Sequence, residues 1–512
     1  MNKTLSEYWP IIILLACFFF GAYSYLPLPS YWDEAWVYLP SVEHLVKNGI
    51  DLSPSSLPPE LSRGHPLFFH SLFGIWGKIF GLSLVSLRVL SLTLSVLVLI
   101  FSYELSKQFF GVKIGVLVTG LIAIQPILFI QSTQILPEML VSLLTLMTLF
   151  FYLNDKWKLY VISASLLLLT KESGVILIVS VFIFELIKSI SDKAFSIKIF
   201  LLIISPVFPT ILFFTLQYYH YGWVFFPDHI SMIDFSITNL LSNYYELHDF
   251  LFEKSGRLVL FWSSALSIAL LWKHAPIWKN ILTFILFSTL LKVLFGYWMP
   301  IEYLIIPICL ILVVILYFQW YSQWKPENVK AKSFFLLSTI FIILYIGFSS
   351  VNFFTVRYLL CVIPVIIISQ FVLIYSESKY PKFSFFVIAM SIGLSFYFYN
   401  EDEKVFDTNI NYKDGIEVEK RIVNYIEKNI QNDECVSCGF LDFYIMNNQL
   451  AGFRENNKTI SAKEYSTKIN CNYLIIKNFG DEVDSSLIPL NYSEVYKVEI
   501  RKANGTILKI ND

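Results

Sequence analysis

Charge is what this sequence has least of: only 15% of its 512 residues are Asp, Glu, Lys or Arg, against roughly 25% in an ordinary soluble protein. That scarcity excludes a soluble globular enzyme. Neither sign is in excess, since the net charge is -1 and the isoelectric point is near 6.7. No basic field therefore exists to hold nucleic acid by counterion release. Tandem repeats of fixed period are missing, and no small-residue cleavage pattern follows the first apolar run. Pro27 and Pro29 end that run, so it reads as a retained span and not as a signal peptide. Cysteine is sparse, with six in all, three of them being Cys435, Cys438 and Cys471. Without a second Cys pair a zinc site is disfavoured, and without a βαβ context so is a CxxC redox centre. Outside the cytosol a disulfide from Cys435 or Cys438 to Cys471 is permitted, leaving one thiol over.

What the chain has in quantity is apolar surface: 56% hydrophobic residues and a mean hydropathy of +0.62. A spanning helix needs about 20 mostly apolar residues. Thirteen runs qualify, at 9–28, 84–105, 114–130, 138–153, 158–170, 173–188, 199–217, 257–272, 280–296, 302–320, 333–350, 358–375 and 383–399. The fifth and sixth are short, and Trp157 to Lys188 is alternatively one long helix. Sidedness favours two, because short cytoplasmic loops carry the lysine and arginine excess. With the N-terminus inside, every inner loop is basic, for instance Lys107 and Lys113, Lys156 and Lys158, or Lys325, Lys330 and Lys332. The outer loops hold carboxylates instead, including Asp33, Glu34, Glu43, Asp51 and Glu60 in a long first loop at 29–83. The expectation is an all-α polytopic body over 1–399 followed by an extracytoplasmic α/β domain over 400–512. That tail contains 33 of the 77 charged residues, a helical pattern from Asp414 to Ile430 and β-branched runs at Tyr473 to Lys477 and Val495 to Ile500.

Against so little charge, the ionisable residues of the body stand out. Its four arginines, Arg63, Arg88, Arg257 and Arg357, all fall on the outer side, where guanidinium forks match phosphate oxygens; interfacial snorkelling is the plainer account of any one of them. Asp33 and Glu34 follow the first span between aromatics, in Tyr31-Trp32-Asp33-Glu34-Ala35-Trp36. They suit a general base near an apolar interface, or Asp33 is the N-cap of an amphipathic helix from Glu34 to Val46. His65, in Arg63-Gly64-His65-Pro66-Leu67, is a helix cap or faces a phosphate or a metal. Pro137 suits a first helical turn and sets Glu138 at the outer edge. Lys171 and Glu172 interrupt the two short spans, as a mutual charge pair or as a substrate site. Lys292 lies inside the ninth span without an evident partner in sequence.

In order and on the same side, these positions resemble the polyprenyl-phosphate-sugar-dependent glycosyltransferases of the GT-C membrane fold, in the branch of protein O-mannosyltransferases and aminoarabinose-lipid A transferases. The aromatic-Asp-Glu motif is matched by Tyr31 to Glu34, the His-Pro-Pro-Leu motif by His65, Pro66 and Leu67 with one proline missing. An Arg near the second span is matched by Arg88, and a Thr-Lys pair by Thr170 and Lys171. Where that family often has Asp at the fourth span this chain has Glu138, and the outer Arg-Tyr string occurs as Arg357-Tyr358 with a local echo at Glu302-Tyr303. The resemblance implies inverting transfer of a sugar from a polyprenyl-phosphate donor to a lipid glycan, protein or cell-wall acceptor on the outer face of the cytoplasmic membrane. Asp33 is then the base and Glu34 orients the acceptor or binds a metal. Arg88, Lys171 and Arg357 hold the lipid phosphate with Arg63 and His65 nearby, and Glu138, Glu172 and Tyr358 complete the substrate site. Asp33, Glu34, Glu138 and His65 could together hold a divalent metal, which leaves metal dependence open. Two other functions fit the same composition: a ligase using a lipid-pyrophosphate glycan, and a transporter or flippase of a lipid-linked substrate, which would place its ionisable residues at the midplane.

Overall fold

The computed structural model describes residues 3–271, 328–377, 381–397, 405–431, 433–454, 460–465, 471–480, 488 and 491–511. Most of them are helical. Three described helices have the length and apolarity to cross a membrane: Leu84–Ala123, Glu172–Asp192 and Val329–Val351. The pair Ile197–Ile204 and Val207–Tyr221, bent by 41°, is a fourth if it forms one span. Shorter apolar helices include Pro137–Leu153, Trp157–Thr170 and Ile363–Tyr375. The described helices do not establish a count of thirteen, and the expected spans 280–296 and 302–320, with Lys292 and Glu302-Tyr303, lie outside them.

Local chemistry explains several of the boundaries. Ser83 starts the Leu84–Ala123 helix by accepting the Ser86 backbone N–H on its side chain, one of the donors a helix start leaves unpaired. Forty helical residues would run about 60 Å, twice the hydrocarbon thickness. Gly111, at φ +77°, breaks the run; a Cβ at Gly115 would lie 3.1 Å from the Lys107 backbone nitrogen, so the chain doubles back there. The expected runs 84–105 and 114–130 fall on the two arms, the second arm ending at Ala123. Pro137 occupies the first turn of its helix, where its missing N–H costs nothing. Trp157–Thr170 and Val175–Asp192 are separate helices, divided by an extended Lys171 (φ -156°, ψ 130°) and a 3-10 turn at Glu172–Gly174.

Helix Tyr412–Asn429 buries Ile416, Ile422, Val423 and Ile426. It packs on strands of a five-stranded sheet made of β1 (Cys435–Cys438), β2 (Ser461–Glu464), β3 (Tyr473–Lys477), β4 (Tyr492–Ile500) and β5 (Ala503–Ile510), in the order β2-β1-β3-β5-β4. β1 runs parallel to β2 and β3, while β3–β5 and β4–β5 are antiparallel. A disulfide joins Cys435 to Cys471, leaving Cys438 as the remaining thiol of the tail. The α/β unit does not stand apart. Tyr31, Ala35 and Ile130 belong to the same buried cluster as Ile416, Leu441 and Phe453. Ser30 N–H donates to the Ala451 carbonyl at 2.8 Å, and Gln131 and Gln134 both donate through Nε2 to the Asp407 carbonyl, at 2.9 and 3.2 Å.

Candidate active site

The chain leaves the helix Lys3–Tyr23 and turns at Trp32, whose φ of +50° is rare for a bulky residue. The turn is held by its own ring, which meets Phe406 at 5.2 Å and Phe440 at 5.7 Å between centroids. Asp33 follows. It occupies the position before a π-helical turn, Glu34–Tyr38, and makes no cap hydrogen bond with its side chain. The capping account of Asp33 is therefore set aside. Its carboxylate instead accepts from Trp36 Nε1 at 2.9 Å and from Arg357 Nη2. Such π turns recur at functional sites because they turn one side chain out of helical register.

Asp33 opens on a cavity of about 340 Å³ whose lining includes Arg63, His65, Lys171, Glu172, Arg357 and Tyr358. Seven of the ten residues expected from sequence thus line one cavity. Glu138 lies behind it. Its Oε1 accepts from Lys171 Nζ at 3.2 Å and stands 3.9 Å from Arg357 Nε. Lys171 does not pair with Glu172 as one sequence reading had it; the extended backbone between two helices turns it to Glu138 and over the Tyr358 ring, 3.6 Å from the centroid. Glu172 faces His65, Oε2 to Nδ1 at 2.9 Å. His65 is placed by the Arg63-Gly64 turn. Gly64 has φ +72°, and a Cβ there would come 2.8 Å from that of Phe226. Arg63 lies over the Phe226 and Trp36 rings, at 4.9 and 5.6 Å, with Asp228 at 3.8 Å.

Two expected residues are elsewhere. Glu34 is fully buried and forms a two-pronged pair with Arg88, at 3.0 and 2.6 Å. Glu34 also accepts the backbone N–H groups of Tyr31 and Ile135. Arg88 donates its remaining hydrogens to the carbonyls of Tyr25, Leu26, Leu28 and Pro29. It is a brace under the Asp33 turn, with no donor left for a phosphate, and neither residue lines the cavity. Arg257 is likewise committed, to Leu251, Phe250 and Gln125 oxygens. The four groups that could together have held a metal are separately engaged, Asp33 by Arg357, Glu34 by Arg88, Glu138 by Lys171 and His65 by Glu172. Among the described residues no three His, Cys, Asp or Glu gather in a metal-holding group.

The cavity also holds residues that no sequence motif marked. Tyr38 lines it at the end of the π turn, stacked on His70. Burial, together with the Glu138 carboxylate, holds the Tyr38 hydroxyl well above its usual range, so it stays a neutral donor. His229 packs 5.2 Å from the His65 ring, and burial with that neighbour lowers it to about 4. Phe406 and Phe440 close the cavity from the α/β unit. Asp407 is buried behind Arg357 and accepts from its Nη1. The five-residue offset from Asp33 to Tyr38 belongs to a π turn, which an ordinary helical pattern does not foresee. The tail residues lie far off in sequence and are joined to the site only by folding.

No protein-family model matches the chain, and no curated protein matches it. Among solved structures it is similar to ArnT from Cupriavidus metallidurans in the apo state, at a TM-score of 0.44 and 13% identity over 97% of each chain. It is similar as well to the same protein bound to undecaprenyl phosphate, at a TM-score of 0.43 and 12% identity over 97% of each chain.

Proposed function

We propose that the chain is a membrane glycosyltransferase that moves one sugar from a polyprenyl-phosphate donor to an acceptor hydroxyl at the outer face of the membrane. The observation that carries this reading is the direct contact of Asp33 with Arg357 in the cavity that Lys171 also lines. Glycosyl transfer needs a base beside a cation that receives a departing phosphate, and little else. The acceptor hydroxyl attacks the anomeric carbon and gives its proton to Asp33. The bond from that carbon to the phosphate oxygen breaks, and the polyprenyl phosphate leaves with its charge held by Arg357 and Lys171. Attack opposite the leaving group inverts the anomeric centre. Tyr38 supplies a neutral hydrogen bond, and the Glu172–His65 pair holds two further lining residues in place. The apolar residues of the lining, Met232, Phe348, Phe353 and Phe354 among them, suit the first isoprene units.

The experiment is transfer from a radiolabelled polyprenyl-phosphate sugar in membranes carrying Asp33→Asn. Loss of a base of this kind typically lowers the rate by about 10²–10⁴-fold. Activity near that of the unmodified protein would remove Asp33 from the mechanism.

A further inference from the structure

Arg357 carries more negative partners than one guanidinium balances. Nη2 meets Asp33, Nη1 meets Asp407, and Glu138 Oε1 lies 3.9 Å from Nε. Asp33 keeps part of its surface open, whereas Asp407 and Arg357 are almost wholly buried, with 1% and 2% of their side chains exposed. Asp407 comes to this place from a distant part of the chain, 50 residues beyond Arg357. It lies in the segment that enters the α/β unit, and its carbonyl is gripped by the Gln131 and Gln134 amides. Three buried polar atoms around the guanidinium have no hydrogen-bond partner: Arg357 Nε, Glu138 Oε2 and Asp407 Oδ1. The cluster is polar but incompletely paired, an arrangement that costs free energy and is seldom retained without use.

Geometry gives the use. A guanidinium presents two edges, and a free carboxylate takes one edge with both its oxygens. Were Asp33 the only acceptor in reach, Arg357 would turn to grip it that way, quenching the base and covering the edge a phosphate needs. We propose that Asp407 is a positioning residue for donor binding: the α/β unit sets one carboxylate behind Arg357, holding it so that Asp33 is touched by a single nitrogen and can exchange with the donor phosphate. The inference rests on the proposed transferase reading. Asp407 acts through Arg357 and touches no reacting atom.

The charges facing Asp407 are Arg357, Asp33 and Glu138, with Lys171 beyond Glu138 and the Tyr38 and Tyr358 hydroxyls across the cavity. Burial raises the Asp407 carboxyl to about 6 even with Arg357 beside it, so it is ionised at neutral pH. Asp407→Asn keeps the shape and removes the charge. Glu138, 3.9 Å from Nε, is then the one anion left to compete with Asp33 for the guanidinium, and Arg357 turns towards Asp33; protonation of Asp407 near pH 6 would do the same in the unmodified protein.

The test measures kcat and the donor KM of the full-length protein in detergent or nanodiscs, from about pH 5 to 8, for unmodified protein, Asp407→Asn and Asp407→Glu. The expected result for Asp407→Asn is a donor KM raised about tenfold at pH 7 and loss of the acid limb of kcat/KM that the unmodified protein shows as Asp407 takes up its proton near pH 6. Asp407→Glu, which restores the charge, should recover the acid limb. A purely structural Asp407 would lower the amount of active protein without moving KM or the limb, and that outcome overturns the proposal, as does a variant that behaves like the unmodified chain. If the unmodified protein itself transfers nothing from lipid-phosphate donors, the transferase reading fails first, which is a separate and recognisable result.

Discussion

Asp33 and Glu34 carry the same functional group one residue apart, yet Asp33 opens on the cavity while Glu34 has no exposed surface and is locked to Arg88. Their energetics differ accordingly. Removing one partner of a buried charge pair leaves the other uncompensated and costs about 3–5 kcal/mol. Glu34→Gln strands Arg88 under the Asp33 turn, so the purified protein should melt well below the unmodified one. Asp33→Asn should melt close to it, since Arg357 retains Asp407. Thermal unfolding of the two variants side by side checks this, and equal melting temperatures would mean that Glu34 and Arg88 do not brace the turn. The sequence placed both carboxylates beside a spanning helix, and the resemblance gave Asp33 the base and Glu34 the acceptor or a metal, whereas Glu34 is turned inward to Arg88. Glu34 and Arg88 lie 54 residues apart, and no local pattern predicts which of two adjacent side chains turns inward.

Elements were legible where a single residue dictates the backbone. Thr170 to Gly174 reads as a polar interruption of apolar sequence, and the chain does break there, at an extended Lys171. The helix expected from Asp414 to Ile430 spans Tyr412–Asn429, and the run from Tyr473 to Lys477 is β3. What the pattern hid is how those two elements are tied. Lys477, on β3, points its ammonium to Glu419 at 2.9 Å and to Asp442 at 2.8 Å, with all three side chains buried. Burial pulls the lysine down, and the two carboxylates more than offset it, so its pKa is raised. Lys477 therefore stays charged through neutral and mildly alkaline pH. Replacing it by methionine fills similar space but leaves two carboxylates facing each other without a cation. The expected outcome is destabilisation of the α/β unit by about 3–5 kcal/mol, read as faster proteolysis of the tail in the full-length protein. Proteolysis unchanged from the unmodified chain would show that the triad is dispensable.

At the scale of the molecule, the charge sorting expected from the sequence bears on which way the site faces. Loops expected to face the cytoplasm meet at one end: Lys330 Nζ donates to Asn154 Oδ1 at 2.7 Å, and Asn328 Nδ2 donates to the Gln108 carbonyl at 2.7 Å. Carboxylate-rich loops meet the α/β unit at the cavity, where Asp33 and Arg357, 324 residues apart, are in contact. Such a distribution is what the positive-inside rule produces when one face is cytoplasmic. The Cys435–Cys471 bridge belongs with it, because disulfides persist in oxidising compartments and not in the cytosol. An orientation with the α/β unit outside has a direct consequence for labelling. In spheroplasts, a membrane-impermeant maleimide should leave Cys435 and Cys471 unmodified until an impermeant reductant is added, and should label both afterwards. A cysteine introduced at Lys156, between Pro137–Leu153 and Trp157–Thr170, should react only once the membrane is permeabilised. The opposite pattern, with Lys156→Cys labelled from outside and the tail cysteines protected, would invert the chain and place Asp33 and Arg357 on the cytoplasmic face, where a different donor pool would have to serve them.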